Sequence, residues 1–111
     1  MVVKPINVGG EQVFPDEVEA VLKYHPGVAD AAVVGVDDRV TGQRLVAVVQ
    51  PAGDVAPGLE ELTRFSKARL VGYRMPRSLV VVDAIKRLES GRPDYDWARS
   101  VATAAAVPPP P

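Results

Sequence analysis

Cysteine is absent from this chain, so no disulfide, thiol nucleophile or thiolate-bound metal can be built from it. Histidine occurs once, at position 25, too few for a usual metal site or a Ser-His-Asp triad. Those two shortages remove most hydrolase chemistry. An excess of charge is lacking as well: the formal net charge is −1 and the pI is near 5.8, which gives no reason to expect nucleic acid or an anionic membrane as partner. No apolar run is long enough to span a bilayer. The first residues, Met1-Val2-Val3-Lys4-Pro5, hold neither an apolar signal region nor a small-residue cleavage site, so a cytoplasmic location is expected. Aromatics are only 5 % of the chain, which leaves its many valines and alanines to build the core. At 111 residues that core is modest, and one domain of this size holds one ligand pocket rather than sites for several large substrates.

What is present is organised around Asn7-Val8-Gly9-Gly10-Glu11-Gln12-Val13-Phe14-Pro15-Asp16-Glu17-Val18-Glu19. Two adjacent glycines give access to positive φ and let another molecule approach the backbone closely. A structural turn explains them equally well. Pro15 suits a first helical turn, and the acids behind it offset the helix dipole. Val18, Val21 and Leu22 repeat at helical spacing, so the stretch reads as a flexible glycine loop fixed to a helix over about 15–24.

Ahead of it, Val2, Val3, Ile6 and Val8 favour a short edge strand or hairpin arm interrupted by Pro5. His25-Pro26-Gly27 ends the helix, with the imidazole expected as a cationic cap on the carbonyl end. Val28–Val36 is apolar enough for a central strand covered on both faces. Asp37–Gln43 is a polar connection, and the valine-rich run 44–50 then pairs back antiparallel. After a Pro/Gly loop, a second helix is expected over 59–71 with Leu59, Leu62, Phe65 and Leu70 inward and Gly72 as its cap. A third strand covers 78–82. Ser90-Gly91 is a turn, and Pro93 opens a short helix carrying Tyr95, Trp97 and Val101. Beyond Ala102 come alanines and prolines, expected as a disordered tail over 103–111. The pattern predicts an α+β domain over 1–102: a small mixed or antiparallel sheet of about three strands, two main helices, a short C-terminal helix and the N-terminal strand or hairpin.

Five motifs in this order carry a resemblance: Gly9-Gly10-Glu11-x-Val13-x-Pro15-x-Glu17-Val18-Glu19, His25-Pro26-x-Val28-x-Asp30-Ala31-x-Val33, Gly42-Gln43-Arg44, Tyr73-Arg74-x-Pro76 and Ser90-Gly91-Arg92. Together they resemble the C-terminal domain of acyl- and aryl-CoA synthetases, relatives of luciferases and nonribosomal adenylation domains. Pro93-Asp94-Tyr95 is most like the bacterial fatty-acid and steroid-acid CoA ligases. The likeness covers about residues 6–101.

The resemblance implies a mobile lid of an ATP-dependent ligase whose large N-terminal domain, in cis or in trans, binds ATP, magnesium and a carboxylic acid. In one orientation a lysine in a Ser-Gly-Lys turn promotes acyl-adenylate formation. In the other, the Gly-Gly-Glu loop lines the pantetheine path while CoA attacks. By that likeness Gly9, Gly10 and Glu11 form the thioester loop, although Glu11 also reads as a helix-start acid. Tyr73 and Arg74 would fix the end of the second helix. Arg92 stands where the family has lysine. Its broad planar fork could clamp a phosphate, or could be too bulky for a site shaped around a compact ammonium. The family hinge, an acid or lysine, falls near Val2 or Val3, which are neither, so the chain is expected to begin at or just inside the point of rotation. No phosphate loop of the large domain is found. The chain alone is therefore expected to be an inactive part of a ligase, with no cofactor of its own, as a monomer or weak homodimer. The alternative is a freestanding or degenerate lid-derived module that binds or regulates without catalysis.

Overall fold

The computed structural model describes residues 4–70 and 74–105. The expected hinge near Val2 and Val3, the Gly72 cap, Tyr73 and residues 106–111 lie outside them. The described chain runs β1 (Ile6–Val8), β2 (Glu11–Val13), α1 (Pro15–Lys23), β3 (Val28–Asp38), β4 (Gly42–Pro51), α2 (Leu59–Ser66), β5 (Ser78–Val81) and α3 (Tyr95–Ala105). The class is the expected α+β, with an N-terminal hairpin and a mixed sheet of five strands.

Strand β4 is the hub. It pairs antiparallel with β3 along its length, touches β1 through Val8 and Gly42, and takes β5 in parallel register from Val46–Ser78 to Val49–Val81. The β3 run is covered on both faces as expected, yet β3 is a sheet edge and not a central strand. Alternate residues face two separate cores. Ala31, Val33, Leu45, Ala47 and Val49 pack under Val18 and Leu22 of α1 and Leu62 of α2. Ala32, Val34, Val46 and Val48 pack under Ala98 and Ala102 of α3. The helices therefore lie on both faces of the sheet rather than segregated to one.

Boundaries differ from expectation in three places. Strands β3 and β4 pair out to Asp38 and Gly42, so their connection is three residues long; Asp38 caps it by accepting from Val40 and Thr41 N–H at 2.8 and 3.1 Å. Helix α2 stops at Ser66 and turns so that Leu70 still reaches the core. Helix α3 continues to Ala105, past the expected boundary at 102, because Ala102 is fully buried and the alanines after it are good helix formers.

Candidate functional site

Gly9 and Gly10 form the two-residue turn between β1 and β2, with φ of 58° and 89°. Both angles fit the primed turn that matches strand twist, which favours Gly, Asn or Asp first and Gly second, so the turn alone accounts for the glycine pair. Two hydrogen bonds hold the turn: Gly9 N–H donates to Thr41 O at 2.8 Å and Gly10 N–H to Asn7 Oδ1 at 3.0 Å. Both glycines are exposed, and a Cβ built on either meets nothing within 4 Å. Glu11 opens β2, and the helix starts only at Pro15, so Glu11 is not a helix-start acid. Beside the turn lies a cavity of about 250 Å³ whose lining includes Val8, Thr41, Met75, Arg44 and Arg77.

Arg92 lies beyond the other end of β1. A hairpin-like loop carries it: Leu88 N–H donates to Arg92 O at 2.8 Å, Asp94 N–H to Lys86 O at 2.8 Å, and Gly91 takes φ 91°. The loop is fixed to β3 by Arg87, which donates from Nε to Asp30 Oδ2 at 2.9 Å and from Nη2 to Oδ1, and also reaches Gly91 O from Nη1. Burial pushes the Asp30 carboxyl up, but the Arg87 hydrogen bond, Ala31 N–H and the guanidinium charge outweigh it, leaving it below the ordinary 3.8. Arg92 faces a cleft of about 390 Å³ together with Lys4, Arg99, Tyr95, Asp96 and the Gly35 backbone. Arg92 Nε and Nη1 are buried and find no acceptor among the described residues. Its guanidinium carbon lies 6.0 Å from the Tyr95 ring centre.

Sequence reasoning missed Glu19. It is 4 % exposed, accepts from Val33 N–H at 2.9 Å and from the Tyr95 hydroxyl at 2.9 and 3.1 Å. Desolvation raises its pKa above 4.5 despite those bonds. Burial and the Glu19 carboxylate push the Tyr95 phenol up as well. His25 is structural, but not as a cationic cap. Its Nδ1 accepts from Gly27 N–H at 2.9 Å, Nε2 meets Glu61 Oε2 at 2.6 Å, and the ring packs edge-on against Phe65. Arg74 ties its segment to α1 through Glu17 at 3.5 Å. Among the described residues, no group of three or more His, Cys, Asp or Glu is placed to hold a metal, and no helix is long and apolar enough to cross a membrane.

The small α+β domain exposes a glycine turn toward one end of β1 and carries Arg92 in a cleft toward the other. Residues 17–92 match the AMP-binding enzyme C-terminal domain, and the chain belongs to that family. The matched span ends on Arg92. Among curated relatives it is 53 % identical over 94 residues to the medium/long-chain-fatty-acid–CoA/3-oxocholest-4-en-26-oate–CoA ligase of Mycobacterium tuberculosis (strain H37Rv), covering 85 % of this chain and 17 % of that protein. It is 48 % identical to the 3-oxocholest-4-en-26-oate–CoA ligase of Rhodococcus rhodochrous, over 85 % of this chain and 17 % of that one. The solved o-succinylbenzoate CoA synthetase of Bacillus subtilis, in complex with an acyl-adenylate intermediate, superposes with a TM-score of 0.79 at 34 % identity over 86 % of this chain and 19 % of that chain. The chain thus spans less than a fifth of the length of these relatives.

Proposed function

We propose that this chain is the lid of an ATP-dependent acyl-CoA ligase, which joins an acid to CoA through an acyl-adenylate, and that it works only with a large domain holding ATP, magnesium and the acid. The observation that carries this reading is the pair of accessible sites at the two ends of β1: Lys4 and Ile6 lead into the Arg92 cleft, and Val8 leads out to the glycine turn. A rigid body with one group at each end serves two half-reactions by rotating.

In the first, the Arg92 guanidinium offsets charge that builds as carboxylate oxygen meets phosphate. A guanidinium's planar fork suits acceptors of that kind. In the second, the side-chain-free turn at Gly9 and Gly10 makes a smooth wall for the pantetheine arm, with Glu11 at its edge. Arg77 offers positive charge there to a polyanionic thiol carrier, beside an Arg44 that is paired with Asp38 at 4.0 Å. Closure excludes water from the labile mixed anhydride. The acid itself is a fatty or steroid acid, in line with the names of the relatives.

The test mixes this chain with a separately produced large domain of the 53 % identical relative, ATP, magnesium, CoA and a panel of acids. Thioester that forms only when both proteins are present supports the lid. No thioester with any acid, while that relative's own C-terminal domain restores activity, contradicts it and favours the non-catalytic module.

A further inference from the structure

Among the described residues, the loop carrying Arg92 makes no ladder contact with the sheet, and the one β-bridge it forms, Arg87 to Pro93, is internal. Side chains must therefore set where the loop stands against β3. On its leading flank the Arg87–Asp30 pair does so. On its trailing flank, three residues after Arg92, the Tyr95 hydroxyl donates to Glu19, whose carboxylate accepts in turn from Val33 N–H on the free edge of β3. The same Tyr95 ring lies beneath the Arg92 guanidinium. One residue thus bonds the anchor and carries its ring centre 6.0 Å from the guanidinium carbon.

Docking of α3 does not need this bond, because Ala98 and Ala102 are already fully buried against the sheet. A buried carboxylate costs stability that an apolar pair in the same place would not. What the bond adds is direction: a hydrogen bond fixes an angle, which apolar contact does not. We propose that Tyr95 and Glu19 are positioning residues that aim the Arg92 cation for the adenylate-forming step. This rests on the lid reading for its chemistry, but not for its geometry.

Two measurements separate the two. In the 111-residue chain, nitrogen relaxation of the Arg92 Nε–H signal reports the side chain's order directly. Tyr95→Phe keeps the ring and loses the bond; Glu19→Ala removes the acceptor from the other side. Both are expected to leave the chain folded and to increase Arg92 side-chain motion, while the Arg99 signal stays as in the parent. Unchanged Arg92 relaxation in both variants overturns the proposal. With a large domain added, each variant is expected to slow adenylate formation about tenfold and to leave thioester formation from preformed acyl-adenylate within about twofold. Equal loss in both half-reactions, or loss in neither, also overturns it. A parent chain that supports no adenylate formation sinks the lid reading instead, and the relaxation data still decide the positioning.

Discussion

Asp30 shows how a single residue serves a distant turn. Its carboxylate accepts two hydrogen bonds from Arg87, and its folded pKa lies below 3.8. A depressed folded value means the bond's contribution is complete above the unfolded pKa and is lost as pH falls through the folded one. Asp30→Asn is therefore expected to cost about 1–2 kcal/mol at pH 7 and to flatten the loss of stability below about pH 4, checked by urea melts from pH 2.5 to 7. At the glycine turn, Gly10→Ala is expected to cost about 1–2 kcal/mol through its φ of 89° alone, since the added methyl meets nothing. A melting shift no larger than that of Gly53→Ala, also in open space but without positive φ, would contradict it. A turn was one of two readings the paired glycines allowed; strand β2 between the turn and the helix was not legible, because three residues are too few to show a period. The role of His25 was not legible either. Helix position suggested a cationic cap, whereas the acceptor function of Nδ1 depends on the fold of Gly27 and on Glu61 from another helix.

Among elements, β3 explains what pattern can and cannot tell. Its apolar run revealed coverage on both faces, and α1 and α3 supply it. The run says nothing about neighbours within the sheet, so an edge strand covered by helices reads the same as a central one. Glu19 was illegible for the same reason: its value lies in meeting an unpaired strand N–H that only the topology exposes. Gly35, on that strand, is needed for space. A Cβ there would lie 2.6 Å from Ile6 Cγ2 and 2.8 Å from Gln43 Nε2. Gly35→Ala is expected to push β1 off β3, to cost about 1–3 kcal/mol and to shift amide resonances at both Lys4 and Gly9, because β1 joins the two sites. Shifts confined to β3 would show that β1 does not connect them.

For the whole molecule, five motifs in one order were enough to name the family, and the matched span confirms it. Side-chain placement around Arg92 was beyond reach, because it rests on pairs far apart in sequence: Arg87 with Asp30, and Tyr95 with Glu19. The departure from lysine has its own consequence. Arg92→Lys is expected to raise adenylate formation several-fold and to leave thioester formation unchanged; equal adenylation by both forms would mean the fork serves as well as the ammonium. The central claim is that one rigid lid uses two ends of β1 for two steps. It is tested most directly by timing each half-reaction separately in the reconstituted enzyme carrying Arg92→Ala or Gly10→Val. The account predicts that the first variant loses adenylate formation by at least about tenfold and keeps thioester formation, while the second does the reverse. Two variants that impair the same half-reaction, or both halves alike, would contradict it.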